Sequence, residues 1–172
     1  MSTVTGKQAA QVAAAEPEFD PTLDSWQINY ARLMSHVSQK GFQAGGLVSC
    51  LVVAPIVFYR ARGSGGAVAV PKAVNAVFRT VIAATAVSTA LGVARMASVE
   101  DLKEGLEDRA YRLHYNLGQR RTDRFAQIGT VLGGTAAAVF LPASAAAVVA
   151  GGAAGAAAGV LAHVATMPKP EE

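Results

Sequence analysis

The C-terminal part of the chain contains a run of 43 residues, at positions 125–167, without one charged side chain. A helix that crosses a bilayer needs about 20 apolar residues, so this run is too long for one crossing and suits two. The sequence Pro142-Ala143-Ser144 near its middle is the predicted turn. Because every backbone polar group inside lipid needs a partner within the protein, we expect a helical hairpin here.

Two other apolar stretches precede this hairpin. Positions 41–59 carry no charge, and nineteen helical residues extend over roughly 28 Å, close to the thickness of a bilayer core. Positions 73–94 contain one charge, Arg79, which either snorkels to the membrane surface or precedes a shorter span that begins near Thr80. Only 16% of the residues are charged and the mean hydropathy is +0.31, which is unusual for a soluble enzyme. We therefore predict an all-α membrane bundle of four Gly- and Ala-rich spans, at about 41–59, 73–94, 125–141 and 144–166.

Two more polar segments show the apolar periodicity of surface helices. At 25–39, one helical face carries Trp26, Tyr30, Leu33 and Val37. At 99–117, a similar seam consists of Val99, Leu102, Leu106, Ala110, Leu113 and Leu117. We predict two amphipathic helices outside the lipid, the second of which ends at Gly118. Helices and spans form one membrane domain at 24–167, between a flexible polar tail at 1–23 and a polar tail at 168–172.

Small residues recur at four-residue spacing in all four predicted spans. Lipid tails are as apolar as leucine, so helices in a bilayer associate through close backbone approach, which small residues allow. The predicted helix-packing residues are Gly41, Gly45, Ser88, Gly92, Gly129, Gly133, Gly151, Gly155 and Gly159. They either pack the protein against itself or offer one face to a larger membrane complex.

The sequence offers little for chemistry inside the membrane. Arg79 is the only charge within a predicted span, whereas ion pumps and exchangers need ionisable residues at mid-bilayer. No nucleophile triad, carboxylate pair or metal-ligand set can be assembled, so we expect no catalytic residue, no metal site and no cofactor. A haem held by His36 and His163 is the one geometric alternative. The single cysteine, Cys50, lies among apolar residues and is predicted to be a buried, inert thiol.

Arg120, Arg121 and Arg124 directly precede the third predicted span. Cations in this position either bind anionic lipid, for example cardiolipin, or serve as a plain topological anchor. Asp123 is placed to pair with one of them. The net charge of +3 is too small and too dispersed for a nucleic-acid-binding protein. The expected partners are therefore membrane lipids and other subunits of a large membrane complex.

The positions of lysine and arginine predict the orientation. With four spans, the N-terminus, the connection at 95–124 and the C-terminus share one side and hold most of the positive charges. The positive-inside rule places this side in the matrix or the cytoplasm. The first 23 residues have neither the arginines of a mitochondrial presequence nor the apolar core of a secretory signal, so we expect no cleavable presequence.

Four short Gly-rich spans, at about 41–165, resemble in architecture the family of mitochondrial inner-membrane translocase channel subunits. Relatives of that family include a four-helix accessory subunit in the membrane arm of respiratory complex I. Translocase relatives usually have both termini in the intermembrane space, opposite to the orientation that the charges predict.

A more particular likeness is carried by one run, which consists of Tyr111-Arg112-Leu113, Tyr115-Asn116, Gln119, Arg121, Asp123-Arg124-Phe125, Gly129 and Gly133. This run is similar to a stretch in small membrane proteins of algae and other protists. Some of those proteins are accessory subunits of mitochondrial complex I.

These resemblances imply a multi-pass protein of the mitochondrial inner membrane. It would be a non-catalytic accessory subunit of a respiratory-chain complex, first of all the membrane arm of complex I (NADH:ubiquinone oxidoreductase). Helix packing and lipid contacts would then support assembly and stability of the complex. Two alternatives stay open. One is a translocase-type channel or carrier, which needs a polar cavity facing the bilayer; the other is a self-assembling glycine-zipper protein of a bacterial membrane.

Overall fold

The computed structural model describes residues 19–167, and within this range the chain is helical without strands. The α-helices are α1 Trp26–Val48, α2 Ala54–Ala61, α3 Gly66–Ala97, α4 Leu102–Tyr115, α5 Leu117–Phe140 and α6 Ala145–Ala165. This confirms the predicted all-α class. The predicted tails lie outside the described residues except at positions 19–23, where Pro21–Leu23 forms a 3-10 turn capped by Asp20.

The first amphipathic helix and the first span form one continuous rod, so no boundary exists near residue 40. Helix α1 continues through a π-helical turn, Ser49–Val53, into α2. Gln39 and Lys40 do not end the helix because both are good helix formers. The π turn stops just before Pro55, so the missing N–H of that proline falls where the regular hydrogen-bond pattern is already broken.

Helix α3 is longer than the span predicted at 73–94. Gly65 has a φ of +79°, which allows the chain to reverse before α3 at no steric cost. Pro71 lies in the second turn of α3, where its ring removes one hydrogen bond without ending the helix. Arg79 is exposed in the interior of α3, so this helix does not begin at Thr80.

Asparagine, and not glycine, separates α4 from α5. Asp101 caps α4 and Asn116 caps α5, each with a side-chain oxygen that accepts a backbone N–H three residues later. The helix predicted at 99–117 is therefore shorter at both ends. Gly118 lies in the first turn of α5, so the prediction that it ends the preceding helix is wrong.

The predicted C-terminal hairpin is present, with its turn at the predicted place. Helix α5 ends at Phe140, and Ser144 caps α6 by accepting the backbone N–H of Ala147. Helix α5 begins at Leu117 rather than at 125, because the charged residues before Phe125 continue the same helix.

Three stretches are long and apolar enough to cross a membrane, which supports the prediction of a membrane protein. They are Trp26–Ala61, Gly66–Ala97 and Ala145–Ala165. Helix α5 does not reach that hydropathy because its first turns carry Arg120, Arg121, Asp123 and Arg124.

Helix α6 occupies the middle of the bundle. It packs along α5 and also contacts α1 and α3, which pack against each other. A core forms where α1, α3 and α6 meet, and its buried members are Val77, Val81, Ala150 and Ala153. Small and β-branched residues fill this core, so the helix axes approach closely.

The segments outside the apolar stretches collect at one end of the bundle. This polar end consists of residues 19–40, 95–124 and 163–167. Contacts across it join Phe19 to His114 and Arg121 to Thr166. Every acidic residue of the described range lies at this end. The opposite end, here called the turn end, contains the connections at 62–65 and 141–144. At the polar end, α4 packs against α1 and buries Leu106 and Ala110, the middle part of the amphipathic seam predicted at 99–117.

Candidate functional site

The glycines of α1 lie where this helix crosses α3. A methyl group on Gly41 would lie 2.7 Å from Cβ of Ser88, and one on Gly45 would lie 2.9 Å from Cβ of Ala84. The Ser88 hydroxyl also donates a hydrogen bond to the carbonyl oxygen of Val37. Small residues on both helices therefore allow the backbones of α1 and α3 to approach closely. Gly92 of α3 instead leaves room for the side chains of Met34 and Val37 on α1.

A still closer approach joins α5 to α6. A methyl group at any of five positions would overlap atoms of the other helix, in most cases a backbone carbonyl oxygen; these are Gly129, Gly133, Gly151, Gly155 and Gly159. Gly46, which the four-residue spacing did not indicate, has the same role between α1 and α6. A methyl group there would lie 2.6 Å from the carbonyl oxygen of Ala153.

All nine predicted packing residues thus face another helix of the same chain. Of the two interpretations, the structure supports packing of the protein against itself. Many of the larger apolar side chains lie exposed on the outer faces of the helices.

We expect Gly155→Ala to destabilise the protein, because the new methyl group would overlap the carbonyl oxygen of Gly129 and force the hairpin apart. Overpacking of this kind costs about 1–3 kcal/mol in the free energy of unfolding. Unfolding of the purified protein in detergent, followed by circular dichroism, measures the change. Gly134→Ala is the matched control, since its methyl group would lie 3.6 Å from the nearest atom, the carbonyl oxygen of Val148. Equal stability of the two variants would contradict the close approach.

A set of polar side chains, here called the Asp123 cluster, joins α1 to α5 at the polar end. Lys40 Nζ and Gln43 Nε2 donate to one carboxylate oxygen of Asp123, the latter at 2.9 Å. His36 Nδ1 lies 3.3 Å from the other oxygen, and Gln119 Nε2 donates from one turn earlier on α5. The Asp123 side chain is only 14% exposed. Its charged and neutral partners offset the cost of removing the carboxylate from water.

The arginines near Asp123 have a different role from the one predicted. Asp123 faces α1, whereas Arg121 faces α6 and donates to the carbonyl and hydroxyl oxygens of Thr166, each at 3.0 Å. Arg121 thus satisfies a free carbonyl at the C-terminal end of α6. The expected Asp123–arginine pair is absent from the described contacts. Of the three predicted lipid-binding arginines, Arg120 and Arg124 are exposed and Arg121 is engaged inside the protein.

An open cleft lies between α1 and α5 beside the Asp123 cluster, with a volume of about 330 Å³. We call it the α1–α5 cleft. Gln39 and Gln127, which are hydrogen bonded at 3.2 Å, line it near the cluster. Gln43 also lines it, and the rest of its wall is largely apolar and comes from Phe42, Ala126, Thr130 and Val131. Val131 is 66% exposed, so the cleft opens onto the outer surface of the bundle.

The two candidate haem ligands have separate surroundings. His36 contacts Asp123, whereas His163 Nδ1 lies 3.3 Å from the Arg121 guanidinium. Between residues 19 and 167, no group of three or more His, Cys, Asp or Glu side chains could hold a metal ion. Cys50 lies in the π turn as a free thiol and is only partly buried.

Sequence reasoning missed the Asp123 cluster, although a signal for half of it was present. Gln39, Lys40 and Gln43 stand at the edge of the first apolar stretch, where three polar residues in five positions are unusual. Asp123, the partner of Lys40 and Gln43, lies 83 positions from Lys40, and no local pattern links the two.

We expect Asp123→Asn to lower the free energy of unfolding by about 2 kcal/mol, because Lys40 loses a charged partner in a half-buried place. Chemical unfolding of the purified protein in mixed micelles measures the loss. Asp108→Asn is the control: Asp108 pairs with Arg112 at 2.9 Å on α4, but both side chains are at least half exposed. Its loss should stay under about 0.5 kcal/mol. A similar loss in both variants would refute a structural role for the cluster.

Comparison with known proteins gives one match. A family model described as a protein of unknown function, DUF1757, covers residues 20–167. No curated protein matches the sequence. The match includes all six helices, both glycine crossings and the Asp123 cluster, and this chain therefore belongs to the DUF1757 family.

Proposed function

We propose that the protein spans the mitochondrial inner membrane four times, with α5 crossing the bilayer beside α6. Helix α5 packs along α6 through the glycine crossing, and the two share a short turn at 141–144, so they can insert as one hairpin. The charges of α5 precede Phe125. The sixteen residues at 125–140 extend over about 24 Å, and a bilayer adapts to a few Å of mismatch.

In this topology the polar end lies on one side of the membrane and the turn end on the other. The polar end holds most of the lysines and arginines, which favours the matrix side. Arg95 then lies at the polar end of α3. Arg79 lies within the span, two residues from Val81, which is opposite Gly45 of α1. Its side chain is exposed and can snorkel toward the surface at the turn end.

Site-specific labelling in a Cys50→Ser background tests the four-span topology. Leu23→Cys and Leu117→Cys should react with a membrane-impermeant maleimide from the same side of sealed membranes, because both residues lie at the polar end. Gly63→Cys and Ala143→Cys, both at the turn end, should react only from the other side. Labelling of Leu117→Cys and Ala143→Cys from one side would show that α5 does not cross the bilayer and would overturn the four-span topology.

We further propose that this membrane protein is a non-catalytic accessory subunit of a respiratory-chain complex. Large apolar side chains at the polar end carry this proposal, because they lie beyond the reach of lipid tails. Leu23 is 85% exposed and Leu117 is 69% exposed, and the rings of Trp26, Tyr111 and Tyr115 are also on the surface. Aromatic residues of this kind are enriched where proteins contact other proteins.

The choice of complex I depends on the resemblance of the run Tyr111–Phe125 to stretches in its algal and protist accessory subunits. This run forms the second half of α4 and the first turns of α5. It includes both Asp123, which joins α5 to α1, and Arg121, which joins α5 to α6. The residues that carry the likeness are therefore also residues that hold the helices together at the polar end. In this proposal, the subunit supports the membrane arm by helix packing and surface contacts.

Native electrophoresis of source membranes in mild detergent, with mass spectrometry of the band, tests this function. The chain should migrate with NADH dehydrogenase activity in a very large complex. The double variant Tyr111→Ala/Leu117→Ala should lose much of this association, because it removes exposed side chains at the polar end. Leu132→Ala/Val139→Ala, which removes two exposed apolar side chains of α5 within the proposed span, is the control. A small band without respiratory subunits would overturn the proposal, and its size would distinguish a channel oligomer from a self-assembling bundle.

A further inference from the structure

We propose that the α1–α5 cleft binds one anionic glycerophospholipid, with an acyl chain inside the cleft and the phosphate beside Arg124. The inference depends on the proposed crossing of the bilayer by α5, and it is independent of which complex the protein joins.

The shape of the cleft favours a narrow, apolar occupant. Helices α1 and α5 are joined by polar side chains of the Asp123 cluster and by the Gln39–Gln127 pair, without close packing of their backbones. Beyond these bridges the wall consists of Phe42, Ala126 and Val131, with the Thr130 hydroxyl donating back to the Ala126 carbonyl. The polar side chains that line the cleft, Gln39, Gln43 and Gln127, are at its other part, so the apolar part suits a hydrocarbon chain better than water.

The dimensions of the cleft favour an occupant thinner than a helix. A helix with side chains is about 10–12 Å across, so it would lie over the cleft and insert only side chains. The cleft holds about 330 Å³ and is open to the surface of the bundle. An extended hydrocarbon chain is far thinner. In a bilayer, the material that surrounds the open side at Val131 is lipid.

Arg124 supplies the place for the headgroup. Arg124, Gln127 and Val131 are spaced i, i+3 and i+7 on α5, so they share one helical face. Gln127 and Val131 line the cleft, and Arg124 lies on the same face toward the polar end. Its side chain is exposed and forms no ion pair within residues 19–167. Lys40, by contrast, is held by Asp123.

The depth of these groups matches the layers of a bilayer. Val131 lies about 10 Å along the helix axis from Arg124. The interfacial layer on each side of the hydrocarbon core is about 5–7 Å thick. A chain against Val131 in the core and a phosphate near Arg124 at the surface therefore belong to one lipid molecule.

Photolabelling of the full-length protein tests the site. The protein is reconstituted in phosphatidylcholine vesicles with a small fraction of phosphatidylglycerol that carries a diazirine in its acyl chain, and the labelled residues are mapped by mass spectrometry. Label should concentrate on Phe42 and on positions 126–131. Val131→Trp should remove it by filling the cleft, whereas Val139→Trp, an equally exposed position on the same helix, should not. Label spread evenly over the outer apolar residues would show ordinary surrounding lipid and overturn the site.

Arg124→Gln tests the headgroup without altering the cleft. Its preference for labelled phosphatidylglycerol over labelled phosphatidylcholine should fall about fivefold, since one cation near the surface contributes about 1 kcal/mol. Arg95→Gln, an exposed arginine at the polar end of α3, a helix that does not line the cleft, is the control. An equal fall in both variants would overturn the assignment of Arg124.

Two further outcomes separate this proposal from the proposed function. If cysteine labelling places α5 outside the bilayer, both proposals fail. If the topology is as proposed but label is missing from the cleft in source membranes and present after purification, a polypeptide occupies the cleft, and only the lipid site is refuted.

Discussion

The contact on which the rest of the bundle depends is the backbone approach of α5 to α6. Each helix presents glycines to the carbonyl oxygens of the other, so no side chain separates the two backbones. In lipid, where burial of apolar surface gives little preference for helix over lipid contact, dispersion and weak polar contacts at this distance supply the attraction. Helix α6 then carries its other face to α1 and α3, and the alanine-rich core forms there. If α5 and α6 did not approach each other, α6 would not be held in the middle of the bundle, where it contacts α1 and α3.

Those parts of the fold that depend on local chemistry could be predicted from the sequence. The charge-free run at 125–167 and the capping serine at 144 determine the C-terminal hairpin, because lipid and helix capping act on neighbouring residues. Four-residue spacing indicated which glycines lie at helix crossings. It could not indicate which helices cross, and Gly46, which is outside the pattern, has the same role against Ala153.

Those parts that depend on distant partners could not be predicted in the same way. The surface helix predicted at 25–39 does not end there. Helix α1 continues past it, and Lys40 and Gln43 donate hydrogen bonds to Asp123 on α5. Arg121 was expected to face lipid headgroups and instead closes the end of α6 through Thr166. In both cases a charged residue next to an apolar stretch has its partner on another helix, and only the three-dimensional packing identifies that partner.

The π turn at Ser49–Val53 keeps small side chains on the inward face of the first rod and large side chains on its outward face. Inward positions on the first rod follow steps of four residues through Gly41, Gly45 and Ser49, and the wide turn makes the next step five, to Ala54. Without that extra residue, the following inward position would belong to Val52 or Val53, and a bulky side chain would stand where α3 now lies close. With it, Leu51 and Val52 point away from the bundle. One widened turn thus keeps the interior of the rod small and its exterior large, the reverse of the arrangement in water-soluble proteins.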